Sequence, residues 1–368
     1  MPCSTKCRVD ALTSPAYLIC GGGALVARRF SLLYSTHMKI VIATPLYPPE
    51  VGGPAQYALN LEKAFTALGH QAVVVRYGIL KKFPTGIRHM LYAWKLLFRV
   101  VGADAIIGLD TYSVGLPAAL VGRLTRVPLL IRIGGDFLWE RYVERTGSLT
   151  PIPDFYSKNI IWNRKENIIF RQTKWILSRS VAAFNTEWLR DIWREAYGLD
   201  PSRTHVVHNE IHPYEGGETS SRKNYLFYSR QIALKNNVAF RRAFEKAKTA
   251  HPEIELEEGM VPHGELLKRM RGCYALVVPS VSDVAPNYVL DGLRYGKPFL
   301  LTKYSGYAQR FGRYGILVDP LDEADMARGI GDLATPAVYE RLSGNIQNFQ
   351  EKHTYEDIAR EFLALLGR

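Results

Sequence analysis

The chain is expected to fold as an α/β protein of two doubly wound parallel-sheet domains, and three observations lead there. Its 368 residues exceed one ordinary α/β core and suit two domains of roughly 150 residues each. Short apolar runs bounded by turn residues alternate with helix-length amphipathic stretches along most of the chain, which is the pattern of βαβ units. One polar stretch without periodicity, residues 209–224 (NEIHPYEGGETSSRKN), interrupts the alternation and contains Pro213, Gly216 and Gly217, so it reads as an interdomain linker.

In order, the first series of strands is expected at 40–43, 72–75, 105–107, 129–133, 181–184 and 206–208, with helices such as 55–68 and 114–124 between them. Six strands suit one doubly wound sheet. The second series follows the linker at 225–229, 254–257, 275–278, 299–302 and 316–318. This places the first domain at 38–208 and the second at 225–350, with a final helix at 355–366. Residues 1–37 read differently. Their short apolar stretch runs into Gly21, Gly22 and Gly23 and then Arg28 and Arg29, which is not a secretory signal, whereas MKIVIATPLYPP from Met38 opens a domain. Residues 1–37 are therefore expected to be a disordered or non-native extension.

The composition is globular, with 47% hydrophobic, 22% charged and 11% aromatic residues. The net charge of +12 is uneven: residues 38–207 hold 22 basic against 13 acidic side chains, while residues 208–368 hold 21 of each. A basic domain beside a neutral one suits an anionic partner such as a phosphate-bearing acceptor or an acidic membrane surface, or is a solvated basic face. Nothing points to nucleic acid. No run approaches the roughly 20 apolar residues of a transmembrane helix. Three of the four cysteines, Cys3, Cys7 and Cys20, lie in the first twenty residues and only Cys273 lies in the body, so a reducing, cytoplasmic setting fits and zinc spacing is lacking.

Ligands of open α/β sheets bind beyond the carboxyl ends of the strands, and three segments fall there. After the first strand, the Pro-rich turn reaching Gly52 and Gly53 precedes a helix, and its bare backbone N–H groups can approach a phosphate or simply turn the chain. After strand 225–229, Arg230 and Lys235 can grip a diphosphate, a guanidinium fork and a point charge taking different oxygens, or be solvated loop cations. After strand 275–278, Asp283 lies in the loop and Asp291 eight positions on, in a helix that Pro286 starts; two turns apart, they can line one side of a pocket and hold sugar hydroxyls. Asp283 alone is equally well an N-terminal helix cap.

Taken as an ordered set, these segments resemble glycosyltransferase family 4, from Met38 to the end of the chain. The likeness rests on Pro279 and Ser280 before two acids separated by seven residues, Asp283 and Asp291, with Gly296 and Pro298 closing the segment; on Pro48 to Gly53; on Ser229, Arg230 and Lys235; on HNEI at 208–211; and on the last helix. The resemblance implies a GT-B architecture, two Rossmann-like domains facing a cleft with the C-terminal helix crossing back to the first. It implies metal-independent, retaining transfer from a nucleoside diphosphate sugar to a glycan or lipid-linked acceptor in cell-envelope or exopolysaccharide assembly. On that basis Asp291 would hold the nucleotide ribose, Asp283 the donor sugar, Arg230 and Lys235 the phosphates, and the backbone around Ala285, Pro286 and Asn287 the sugar or phosphate. No Asp-x-Asp pair occurs. The chain departs from the family in having Asp for both Glu residues, Ser229 for Gly, a short stretch from Arg230 to Asp283, and Gly134 where His is usual, with Asp136 the nearby polar residue assigned to the acceptor side.

Two other readings are set against this one. A catalytically inactive sugar-nucleotide-binding partner would explain Gly134 and the short second domain. A nicotinamide dehydrogenase would also pair such sheets, but the first turn, TPLYPPEVGGPAQ, lacks G-x-G-x-x-G. Separately, residues 87–101 (IRHMLYAWKLLFRVV) are basic, aromatic and aliphatic, suited either to an anionic membrane on the inner face of the plasma membrane or to packing on the sheet.

Overall fold

A computed structural model describes residues 37–368 except 51, 159, 219 and 368. The expectation for residues 1–37 lies outside the described residues but for His37. The strands are β1 (Lys39–Thr44), β2 (Gln71–Arg76), β3 (Ala105–Gly108), β4 (Leu129–Ile133), β5 (Val181–Phe184), β6 (Thr204–Val206), β7 (Lys223–Tyr228), β8 (Ile254–Gly259), β9 (Ala275–Val278), β10 (Phe299–Thr302) and β11 (Gly315–Val318). The front lobe carries helices α1 (Gly53–Ala67), α2 (Thr85–Val100), α3 (Gly115–Thr125), α4 (Phe137–Thr146), α5 (Ile152–Ser157), α6 (Arg164–Leu177) and α7 (Glu187–Tyr197). The rear lobe carries α8 (Asn237–Ala250), α9 (His263–Gly272), α10 (Asn287–Arg294), α11 (Ala308–Phe311), α12 (Glu323–Ala334) and α13 (Pro336–Gln347), and α14 (Tyr355–Leu366) ends the chain.

Both sheets are parallel throughout, in the orders β2-β1-β3-β4-β5-β6 and β11-β10-β9-β7-β8. The expected two-domain α/β architecture is the one observed. In each sheet the first strand sits inside, so the order reverses between β1 and β3 in front and between β7 and β9 behind; these are the switch points where α/β sheets bind ligands. The stretch from Arg230 to Asp283, though short, carries α8, β8 and α9, so the βα alternation is unbroken there. β6 is displaced most, starting and ending two residues early, and β7 starts two residues early and ends one early.

Alternation along β1 shows why the strands are apolar on both faces. Ile40 and Ile42 face one core, while Val41 and Ala43 face the other. The first of these cores is closed by the C-terminal helix: Ile358, Ala359, Phe362 and Leu365, at helical spacing, pack against Leu61 and Phe65 of α1. Burying a side chain such as Phe362 contributes about 1.5–3 kcal/mol. Thr354 and Asp357 start α14 as a reciprocal capping box. The crossing-back helix is thus a structural part of the front lobe. The outgoing and returning chains run side by side, with Ile211 and His353 exchanging backbone hydrogen bonds of 2.8 and 3.0 Å.

The lobes also meet directly. Leu234, Val281 and Val284 of the rear lobe join the buried cluster that contains Leu138, Phe155 and Leu189 of the front lobe. Ile152 N donates to Ser282 Oγ at 3.1 Å. At Gly306 the approach is closest: a Cβ there would lie 2.2 Å from the Val284 carbonyl oxygen and 2.7 Å from Thr186 Oγ1.

Candidate active site

The rear switch point is built from two loops stitched together. Asn236 takes a left-handed backbone conformation, φ 57°, and its buried amide donates to the carbonyls of Pro320 (2.7 Å) and Pro279 (3.3 Å). Asn237 donates to the Arg230 carbonyl at 3.2 Å and accepts from Ser229 Oγ at 2.9 Å. Val281 N donates to the Leu234 carbonyl at 2.9 Å. Held this way, Lys235 Nζ donates to Asp283 Oδ2 at 2.7 Å and to Ser280 Oγ at 3.4 Å, and Ser280 Oγ donates to Asp283 Oδ2 at 3.3 Å. The cation and one acid expected from the sequence are brought together, and Ser280 joins them.

Across the gap lies α4. Asp136, the residue assigned to the acceptor side, caps this helix from within: it is 1% exposed and accepts from Trp139 N (2.9 Å), Tyr156 Oη (2.7 Å) and Trp193 Nε1 (2.8 Å). A carboxylate so engaged orders the front lobe and has no oxygen to spare for an acceptor. The carboxyl that faces the rear lobe is Glu140, one turn further along. Its burial and the neighbouring Asp136 charge raise it to about 7, against the pull of Arg230 and Lys235. Both cations therefore lie near Glu140 at the boundary between lobes, with Lys235 Nζ itself paired to Asp283 of the rear lobe.

Gly134 has a spatial explanation. A Cβ there would fall 1.9 Å from Arg132 Nη1, so a guanidinium fills the volume that a larger residue at 134 would need. Arg132 projects from the middle of β4, lies over the Tyr57 ring at 4.2 Å and donates from Nη2 to Asn209 Oδ1 at 2.7 Å; its buried Nε has no hydrogen-bond partner among the described residues. Asn209 in turn donates to Asn287 Oδ1 at 3.0 Å. One asparagine of the linker thereby reads both lobes.

The remaining expected residues are more dispersed. Asp291 lies half-buried on α10; burial raises it to about 6, and the charges that pull it back are His263, Arg294 and His212 rather than Arg230 or Lys235. Pro286 caps α10 without a side-chain hydrogen bond, leaving the amides after it open, and Asn287 is exposed beside Ala285. In front, Gly52 has φ 141°, a conformation that favours glycine, while a Cβ on Gly53 would meet nothing within 4 Å. Glu140 and Arg132 were not singled out from the sequence, where the one available signal was a charge, Arg132, inside the apolar run LLIRI; Ser280 and Asn209 entered only as parts of the resemblance, with no contact assigned to them.

The site therefore brings together two cations and, across from them on the front lobe, the Glu140 carboxyl raised to about 7, with the half-buried Asp291 carboxyl on α10. No protein-family model matches the sequence, and a search of curated proteins finds no match. Solved structures of similar fold include Anabaena HepE in complex with UDP-glucose, with TM-score 0.64 and 14% identity over 89% of this chain and 100% of that one. Sucrose-phosphate synthase from Thermosynechococcus elongatus gives 0.61 and 14% over 89% and 98%. The α,α-trehalose-phosphate synthase (UDP-forming) from Burkholderia vietnamiensis gives 0.60 and 13% over 90% and 99%. At such identities the likeness is one of fold, the GT-B arrangement of two Rossmann-like domains around a cleft.

Proposed function

We propose that this chain is a metal-independent, retaining glycosyltransferase of the family 4 type, moving a sugar from a nucleoside diphosphate donor to a glycan or lipid-linked acceptor of the cell envelope. The observation that carries the reading is the Lys235–Asp283 pair at the rear switch point, on the loop that also bears Arg230, with the charges of both cations felt by Glu140 of the front lobe. Supporting it, the fold neighbours include one captured with UDP-glucose.

In this reading the diphosphate displaces Asp283 from Lys235, and Asp283 turns to a hydroxyl of the donor sugar. The bond from the anomeric carbon to the diphosphate oxygen breaks as the acceptor oxygen bonds to the same face, and the acceptor proton passes to the departing phosphate. Arg230 and Lys235 stabilise the charge that grows on that phosphate. The apolar contact of Leu234, Val281 and Val284 with the front lobe excludes water that would hydrolyse the donor. Asp291 would take the ribose hydroxyls. The test is nucleotide release from a panel of sugar donors headed by UDP-glucose, with and without EDTA. Release unchanged by EDTA is expected; no release or transfer from any donor by protein that binds nucleotide would sink the catalytic reading.

A further inference from the structure

A cavity in the front lobe lies outside the machinery above. It is a groove of about 1080 Å³ between α2, α3, α4 and α6, larger than the roughly 300–1,000 Å³ of pockets that hold small ligands. Met90 and Trp94 on α2, Leu116, Leu120 and Leu124 on α3, and Ile168 on α6 line it. These are second apolar stripes. Tyr92, Leu96 and Val100 already bury the core-facing side of α2, yet Trp94 is 59% exposed and Leu124 72%. The stripe on α3 recurs every four residues over eight, about 12 Å of helix.

Every charged side chain lining the groove is basic: Arg88, Arg141 and Lys165, with no carboxylate. At the end beneath the stacked pair Tyr112 and Phe137 (4.2 Å), two buried nitrogens, Arg88 Nε and His89 Nε2, have no hydrogen-bond partner among the described residues. Arg141 lies over the Phe137 ring, 5.8 Å from its centroid, so a further cation stands at that end. An elongated apolar trough with a cationic rim suits an amphipathic anion better than a sugar or a peptide.

We propose that this groove binds the acceptor as a single phosphate-bearing lipid, its chain along α2 and α3 and its phosphate at Arg88, Arg141 and Lys165, drawn from a bilayer on which Phe98 and Val101, exposed further along the same face of α2, rest. The inference rests on the glycosyltransferase reading for what happens to the lipid, not for whether it binds.

The test is calorimetric titration of the full chain with n-dodecyl phosphate below its micellar concentration, beside n-dodecyl maltoside, inorganic phosphate and a set of nucleoside diphosphates. One n-dodecyl phosphate per chain is expected, bound more tightly than the maltoside, with inorganic phosphate alone not bound. Leu120→Glu, which sets a charge in the apolar trough, should weaken it at least about tenfold. Arg141→Gln should weaken the phosphate probe and spare the maltoside; nucleotide affinity should be unchanged in both. Equal affinity of wild type and both variants overturns the proposal. So does association only with phosphatidylglycerol vesicles, in proportion to their charge and indifferent to Leu120→Glu, which makes the face a membrane contact. Absence of nucleotide binding in the wild type would instead strike the donor reading and leave the groove standing.

Discussion

The front and rear sheets share a strand order around their inner strand, yet their mouths hold opposite chemistry. Behind, two loops knit by Asn236 and Asn237 hold Lys235 against Asp283 in a polar network. In front, the loops after β1 and β3 offer a bare Gly52–Gly53 turn and open onto an apolar groove with a basic rim. The same topology thus delivers two kinds of site, because it fixes only where loops converge, and the residues in them decide what is held.

The sharpest break of that comparison is at the rear mouth. Replacing Arg230 or Lys235 by Ala should cost about 2–4 kcal/mol of transition-state stabilisation, read as kcat/KM with the best donor, if the phosphates sit there. At the front, Asp136→Ala should lower stability to denaturant by about 1–3 kcal/mol, the cost of leaving Tyr156 and Trp193 donors unpaired in the core. Its effect on the kinetics of whatever protein remains folded should be slight; a specific rise in acceptor KM without loss of stability would restore Asp136 to the acceptor side. A smaller effect separates the glycines. Gly52→Ala should cost about 1 kcal/mol because of its φ, whereas Gly53→Ala should be neutral for stability and weaken nucleotide binding only if a phosphate approaches that turn.

The mildest test concerns pH. Glu140 is neutral below about 7 and charged above it, and its charge opposes a diphosphate for the attention of Arg230 and Lys235. Donor affinity should therefore fall a few-fold as pH rises from roughly 6 to 8, and Glu140→Gln should flatten that slope. A slope that survives the substitution belongs to another group.

How far the sequence was legible follows the same division. The bounds of β4, β5, β9 and β10 were readable to the residue because each is a short apolar run ended by a turn. β6 slipped because Thr204 and His205 carry no apolar signal. Arg230, Lys235 and Asp283 were readable since they lie just past strand ends, where fold rules put ligands. Asp136 entered as the polar neighbour of Gly134, where the resemblance expects His, and position in the sequence cannot tell a helix cap from a cleft carboxyl. Glu140 becomes conspicuous only through burial against a lobe some ninety residues away. Gly134 looked like a loss until Arg132 was seen filling its space.

Gly306 carries a last consequence. Thr186 belongs to the front lobe and Val284 to the rear, so this contact closes only because a hydrogen atom stands where any other residue would place carbon. A methyl inserted there would be a wedge, pressing on the Val284 carbonyl of its own lobe and on the Thr186 side chain of the other.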